Sequence, residues 1–556
     1  MLSKDLEKLK VIPLGGVEEI GGLNMTVFEF GDNILIVDAG LMFPEDDMLG
    51  VDFVIQDFTY LLENRHKVKG VVLTHGHEDH TGALPFLLKA INVPVYGTAL
   101  TLGLVLEKLR EHNIEEPALR RVKPRDVVEI GPFSVEFIRI THSIVDGVAL
   151  AIRTPVGIVV HTGDFKIDPT PVDGELLDFN SFTRFGEEGV LLLLSDSTNA
   201  ERGGFTFSEK EVRRAFEDIF SKTSGRIIIS TFSSNIHRLQ QAIDVAEMFG
   251  RKVVICGRSM VGNAQIALDL GYLRIPKDTW LEVDALKNLP DEEVLILTTG
   301  SQGEPMSVLS RIAIGEHKHI KIKDGDTIVI SAKTIPGNER SIGKLVNRLF
   351  KLGANVIHEK VSEIHVSGHA SKEELKLMFN MVKPRFFVPI HGEYRHLVSH
   401  VRMLNRQGHP KEDCFILQNG DILEVGPDSA EKSGQVSAGR VYIDGKGIGD
   451  VEEMVLRDRR RLGHDGIVLI LLTIEKESGK LASPPDIITK GFIHEDDTAG
   501  VIDIIQELVT ATVDELDREV TSDPSLLQAR VRARLKKHFR NTLHRKPMIM
   551  PLIFEV

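Results

Sequence analysis

The sequence predicts an α/β protein in which one domain with a β-rich start is interrupted by a second α/β domain and followed by a small α+β domain. Three observations lead there. Short apolar runs end repeatedly in polar tips that hold histidine or aspartate, at residues 68–80, 135–142, 156–164 and 190–196. From about residue 208 strands and helices alternate without such tips, the pattern of a parallel, doubly wound sheet. From about residue 353 to 425 the strand-then-histidine pattern returns, so the first domain is completed after an insertion.

Along the chain, the opening segment is β-rich: residues 10–13, 26–30 and 33–38 are apolar runs separated by Gly and Asp/Asn. Ser208 and Glu211 have the spacing of a capping box, and Val212, Phe216, Ile219 and Phe220 follow at helical spacing. Strands at 226–230, 252–256, 294–298 and 327–331 then accompany helices over 235–249 and 339–352. Residues 427–439, PDSAEKSGQVSAG, are small and polar without apolar periodicity and read as a linker. Strands at 467–474 and 486–493 and helices at 498–516 and 526–543 are expected beyond it. The resulting domains are 1–207 with 356–426, the insertion 208–355, a linker 427–450 and a C-terminal domain 451–556.

Composition narrows the function classes. The chain has 556 residues, too many for one core, with 42% hydrophobic and 27% charged residues, as in ordinary globular proteins. It has no uninterrupted apolar run of the roughly 18 residues a membrane span needs. The N-terminus, MLSKDLEKLKVIPLGG, lacks the layout of a signal peptide, so a cytoplasmic location without membrane attachment is expected. Two cysteines, Cys256 and Cys414, exclude a disulfide scaffold and a Cys-rich zinc module; 21 histidines make imidazole and carboxylate the natural metal donors. The net charge of −14 counts against a passive nucleic-acid coat. It is neutral evidence for an enzyme, whose groove can be locally positive and whose metals add charge.

The chemistry concentrates in Thr74-His75-Gly76-His77-Glu78-Asp79-His80. His75 and His77 alternate past a glycine, so both can face one pocket, and Asp79 and His80 can serve a neighbouring ion. His142, Asp164 and His391 each follow an apolar strand, and a carboxylate such as Asp164 can bridge two ions in a hydrolytic centre. Any one of these three alone is more often structural; together they repeat one architecture, a buried strand with a ligand at its exit.

This H-x-H-x-D-H pattern with a later His, Asp and His is similar to that of the metallo-β-lactamase superfamily, and Asp38 in Val37-Asp38-Ala39-Gly40 matches the early aspartate that braces the metal loop. Ser195-Asp196-Ser197-Thr198-Asn199, Ser367-Gly368-His369-Ala370-Ser371 and His391 resemble the three motifs of the β-CASP nucleases, whose extra domain falls where the insertion lies. Segments such as residues 13–21, 299–305 and 545–551 resemble the bacterial ribonuclease J family, and the likeness runs from end to end. It implies a metallo-β-lactamase αββα sandwich interrupted by a β-CASP domain. It also implies a zinc-dependent 5′-to-3′ exonuclease and endonuclease that favours 5′-monophosphate ends in RNA processing and decay.

Carried over by position, one zinc takes His75, His77 and His142, the other Asp79, His80 and His391, and Asp164 bridges them, with manganese as the alternative ion; a metal-bridged hydroxide attacks phosphorus. Asp196 and His369 assist proton transfer or orient the phosphate. Ser233, Ser234 and Asn235 open a helix and suit a phosphate, or form a plain cap. His365, Val366, Ser367, Gly368 and Ser371 line the nucleotide path. Asp444 is a candidate for a structural calcium, although a bare turn aspartate is the plainer account. The implied partners are single-stranded RNA, a second copy in a homodimer or homotetramer formed through the C-terminal domain, and proteins of an RNA-decay complex. An apolar stripe of Val501, Ile504, Ile505 and Leu508 suits that assembly or packs on the domain's own strands. The basic run Arg530, Arg532, Arg534, Lys536, Lys537 and Arg540 reads as a solvated face or as an RNA or subunit contact. A β-CASP nuclease acting on DNA, a small-molecule metallo-hydrolase and an inactive RNA-binding scaffold are the competing readings.

Overall fold

Strands that are apolar at every position rather than at alternate ones need cover on both faces, and the computed structural model supplies it. Val190–Asp196 and Phe386–Ile390 are buried at every residue. Residues other than 1–6, 46, 336–337, 360–363, 446, 450–452 and 494–497 are described. They fall into one unit of Met1–Phe43 with Val54–Val441 and another of Pro44–Phe53 with Tyr442–Val556.

In the first unit, two mixed sheets pack face to face. One has eight strands in the order Ala430–Gln435, Asp421–Val425, Leu9–Gly15, Met25–Phe30, Asn33–Val37, Val68–Val72, Val95–Gly97 and Leu119–Arg121. The other has six, in the order Phe386–Ile390, Val190–Asp196, Gly157–His161, Val148–Thr154, Phe133–Arg139 and Val127–Ile130. Phe28, Leu35, Phe133, Phe137, Leu150 and Leu192 fill the layer between them. Helices Phe179–Glu188, Lys372–Val382 and Tyr394–Arg406 cover the outer face of the second sheet through Phe182, Phe185, Met378 and Leu404. This is an αββα sandwich. Its sheets are completed by strands on both sides of the insertion: Asp421–Val425 pairs with Leu9–Gly15, and Phe386–Ile390 with Val190–Asp196.

The insertion forms its own six-stranded parallel sheet, in the order Trp280–Leu281, Lys252–Cys256, Val294–Thr298, Ile227–Ser230, Thr327–Ile330 and Asn355–Ile357. Apolar clusters lie on both faces. The expected capping box at Ser208 and Glu211 does not form. The helix begins at Lys210, and Ser208 Oγ donates to the Thr170 carbonyl instead. A local hydroxyl can serve either purpose, and a tertiary partner decides.

The stretch read as a linker is built into sheet. Ala430–Gln435 pairs antiparallel with Asp421–Val425, and Arg440–Asp444 pairs with Gly447–Ile448. An edge strand is held by backbone hydrogen bonds and needs no apolar face, so polar composition hid it. In the second unit, Ile467–Ile474 lies between Asp486–Lys490 and a parallel strand, Met548–Glu555. That third strand and a helix at Glu453–Asp465 go beyond the sequence expectations. Helices Thr498–Asp514 and Pro524–Thr542 bury Ile505, Val509, Leu527, Val531, Leu535 and Phe539 in the unit's own core. Val501 and Leu508 pack against that core too, so of the expected assembly stripe Ile504 alone is well exposed. Among the described residues, no helix is long and apolar enough to cross a membrane.

Candidate metal centre

The centre sits at the ends of strands from both sheets. Val68–Val72 leads into Thr74 and His75, and His77 stands at the N-terminus of the single-turn helix Glu78–Thr81, which presents Asp79 and His80. In the second sheet three neighbouring parallel strands, Gly157–His161, Val190–Asp196 and Phe386–Ile390, end together. They deliver Asp164, Asp196 and His391 to one place, as strand ends in α/β enzymes commonly do. His391 takes a left-handed backbone, φ 51°, as does Asp38 at φ 62°, a conformation uncommon outside glycine and asparagine that persists where the surroundings enforce it.

Two donor groups result. His75 Nε2 lies 3.0 Å and His142 Nε2 3.2 Å from His77 Nδ1. Each flanking ring has its other nitrogen engaged. His142 Nδ1 donates to the Gly368 carbonyl at 2.8 Å, and His75 Nδ1 lies 3.0 Å from Thr74 Oγ1, whose own proton goes to Asp38 Oδ2. Those partners fix the tautomers and turn lone pairs toward one point. Burial pushes His75 and His142 well below the usual imidazole range and His77 down to about 4, so all three are neutral. Three neutral imidazole nitrogens converging at this spacing fit a divalent cation among them.

The second group is Asp79, His80, Asp164 and His391, whose ligand atoms all lie within 4.8 Å of one another. His80 Nδ1 donates to Asp38 Oδ2 at 2.7 Å, leaving Nε2 at 3.2 Å from Asp164 Oδ2. Thr198 Oγ1 donates to the His391 carbonyl and sits 2.7 Å from His391 Nδ1, leaving Nε2 at 3.4 Å from both Asp79 and Asp164. Burial works against charge on these rings, but the carboxylates outweigh it. Asp164, Asp79 and Asp38 hold His80 well above its ordinary range, and Asp164 and Asp79 raise His391 to about 9. In return, and against burial, the two histidines keep Asp79 and Asp164 ionised well below the usual carboxylate range. Asp164 Oδ2 is also 3.8 Å from His75 Nε2 and 3.8 Å from His142 Nε2, so one oxygen faces both groups.

Asp196 and His369 meet at this centre. His369 Nδ1 is 2.8 Å from Asp196 Oδ2 and 4.0 Å from Asp164 Oδ2, and the ring is partly exposed. The His365–Ser371 run reaches the centre through Gly368, beneath His142, and through Ser367, whose hydroxyl accepts from Asn199 Nδ2 at 2.9 Å. Ser371 heads a capping box with Glu374, and Val366 belongs to the insertion's core. His365 Nδ1 is buried without a hydrogen-bond partner; burial, then Arg238, Lys333, Lys166 and Arg202, keep that ring neutral. Asn235 caps its helix by accepting from Arg238 N, and Ser233 Oγ accepts from Asn263. The Arg238 guanidinium donates to the Ile364 carbonyl, which places this segment beside the His365 run. Asp444 is ion-paired with Arg459 at 2.6 Å and joins none of the metal-type clusters among the described residues.

Apart from Asp38, which accepts from His80 Nδ1, sequence reasoning missed residues that hold the donors in place. Asn24 Nδ2 donates to the Asp79 carbonyl at 3.0 Å and lies 3.1 Å from His80 Nε2; Thr74 and Thr198 orient His75 and His391. Thr198 and Asn199 stand inside the Ser195–Asn199 motif, whereas nothing local marks Asn24. A cleft of about 370 Å³ borders the centre at His142 and is lined by Arg121, Lys123, Arg139, Lys166 and Tyr272 among others.

Comparison with known proteins gives the same picture. The family model of the metallo-beta-lactamase superfamily matches residues 20–227, and that of the ribonuclease J beta-CASP domain matches 224–349. The Zn-dependent metallo-hydrolase RNA specificity domain matches 354–417, and the ribonuclease J C-terminal domain 454–556. The chain is 43% identical to ribonuclease J of Thermus thermophilus, over 99% of this chain and 96% of that one. It is 41% identical to ribonuclease J2 of Bacillus subtilis over the whole of both. A crystal structure of an Enterococcus faecalis protein of unknown function shares the fold, with a TM-score of 0.54 at 16% identity, over 75% of this chain and all of that one.

Proposed function

The chain belongs to the ribonuclease J family of metal-dependent ribonucleases, and from that premise we propose that it holds two zinc ions and degrades RNA from 5′-monophosphate ends as well as cutting internally. The observation that carries the reading is the single Asp164 oxygen facing both donor groups, at 3.2 and 3.4 Å on one side and 3.8 Å on the other. His75, His77 and His142 would hold one ion, and Asp79, His80 and His391 the other, with Asp164 shared; manganese fits the same oxygen and nitrogen donors. Bound there, the ions supply Lewis acidity toward the phosphoryl oxygens and a nucleophile derived from water near neutral pH.

The remaining work falls to the chain. Asp196 fixes the His369 ring by their 2.8 Å contact, which lets His369 orient the scissile phosphate or pass a proton to the leaving 3′-oxygen. Arg238, Lys333, Lys166 and Arg202 lie near His365, with Arg238 paired to Glu209 and Lys166 to Asp168. Ser233, Ser234, Asn235, Ser367, Gly368 and Ser371 are our candidates for binding a single terminal phosphate. Domain limits at 207/208 and 355/356 remain our division of the chain. Assembly into a homodimer or homotetramer through the C-terminal domain, cytoplasmic action and recruitment to a decay complex belong to the same reading. Exposed Ile488, Met550, Leu552 and Phe554 on the C-terminal sheet support the assembly.

The test uses metal-stripped protein reloaded with zinc or manganese and end-labelled single-stranded RNA. About two ions per chain are expected. Mononucleotides should be released from 5′-monophosphorylated RNA much faster than from 5′-triphosphorylated RNA, and His77→Ala should lose both an ion and turnover. Equal rates on the two ends would overturn the end preference, and full turnover by His77→Ala the metal assignment.

A further inference from the structure

The C-terminal helix Pro524–Thr542 carries six Lys or Arg and no Asp or Glu, more cations than any other acid-free helix among the described residues. Residues 524–546 contain eight Lys or Arg and no Asp or Glu, in a chain whose net charge is −14. Leu527, Val531, Leu535 and Phe539 form the buried stripe. At 100° per residue, Arg530, Arg532, Arg534, Lys536, Lys537 and Arg540 all fall on the arc away from it, and all six are exposed. Arg530 to Arg540 spans about 15 Å of helix axis.

None of the six forms an ion pair among the described residues. On two other helices, exposed or half-exposed cations are paired within the helix: Arg213 with Glu217, Arg214 with Glu211, Lys222 with Asp218 and Arg184 with Glu188. Here the i,i+4 neighbours are like charges, Arg530 with Arg534, Arg532 with Lys536 and Lys536 with Arg540. Such pairs destabilise an isolated helix rather than support it. A merely solvated face would gain from interspersed acids, so the uniform sign is explained by an external polyanion.

We infer that this helix is an accessory RNA-binding surface that grips the phosphate backbone of long substrates through Arg530, Arg532, Arg534, Lys536, Lys537 and Arg540, without reading sequence. The inference rests on RNA being the substrate. Backbone binding of this kind releases counterions, so affinity falls steeply with salt.

The test measures binding of a long, unstructured, fluorescently labelled RNA to the full chain carrying His77→Ala, across a salt series. The comparison is the same protein with R532A, K536A and R540A added; alanine favours helix, so the fold is retained. The slope of log affinity against log salt should shrink by ~0.7 for each phosphate that is no longer neutralised, ~2 for the triple variant. Replacing Arg532 and Arg540 by Lys should preserve the slope. An unchanged slope in the triple variant overturns the inference, and an unchanged slope with a smaller particle in light scattering assigns the face to a second copy instead. Failure of the wild-type chain to cleave any RNA would overturn the premise, a result distinct from either.

Discussion

Gly368→Ala is the most informative single change, because it tests whether the Ser367–Ser371 motif supports the metal site. A Cβ at Gly368 would stand 2.6 Å from His142 Cε1, 2.7 Å from its Nδ1 and 2.8 Å from Ser143 Oγ, where ordinary contact begins at 3.4 Å. The ring must retreat by about 0.8 Å, and it is buried and tied to the Gly368 carbonyl, so it cannot swing into solvent. Overpacking of this kind costs about 1–3 kcal/mol. A displacement near 1 Å at a reacting centre lowers turnover by about 10²-fold, or about 2.7 kcal/mol in the barrier. The assay pairs metal content after dialysis with cleavage of labelled single-stranded RNA. The variant should lose about one ion's worth of affinity and most of its rate, while its unfolding transition moves only modestly. Gly343→Ala is the control: nothing lies within 4 Å of its added Cβ, and alanine within the helix Glu339–Lys351 should leave metal and rate unchanged. Full metal content and wild-type turnover in Gly368→Ala would refute the argument that this glycine keeps His142 in place.

Asp38→Asn removes the carboxylate oxygen that accepts from His80 Nδ1 at 2.7 Å, while leaving an acceptor for Thr74 N. Losing a partner that orients a ligand should weaken metal affinity about 10- to 100-fold, and competition against a chromogenic chelator measures it; unchanged affinity would show that Asp38 only shapes the loop. His400 gives a pH signature away from the ligands. It is buried against Ser197, 2.9 Å from Oγ, and burial lowers it to about 3 from an ordinary 6.5. Above pH 6.5 both folded and unfolded chains hold it neutral; below, the unfolded chain takes up a proton that the folded chain refuses. Stability therefore falls as pH drops from 6.5 toward 3, by ~1.4 kcal/mol per unit from this residue. In urea unfolding at several pH values, His400→Gln should show a slope shallower by that amount, and identical slopes would remove His400 from the acid response.

The sequence alone pointed to the candidate donors, because that information is local. His75, His77, Asp79 and His80 lie within six positions, and His142, Asp164 and His391 each follow an apolar strand that announces itself by composition. Periodicity likewise placed Lys252–Cys256 and Val294–Thr298. Tertiary structure decided what depends on a distant partner. Asn24 is held against Asp79 and His80 only because Gly40 lets the metal loop lie against the exit of Asn33–Val37, where a Cβ would stand 1.6 Å from the Asp79 carbonyl oxygen. The polar segment Ala430–Gln435 became strand because Asp421–Val425 offered an open row of backbone groups. The apolar stripe at Val501, Ile505 and Leu508 turned inward because Leu527, Val531 and Leu535 faced it, a choice that composition leaves open. Local chemistry names the candidate donors; which lone pairs converge depends on hydrogen bonds between residues as far apart as His142 and Gly368, or Thr198 and His391, and only the folded chain brings those together.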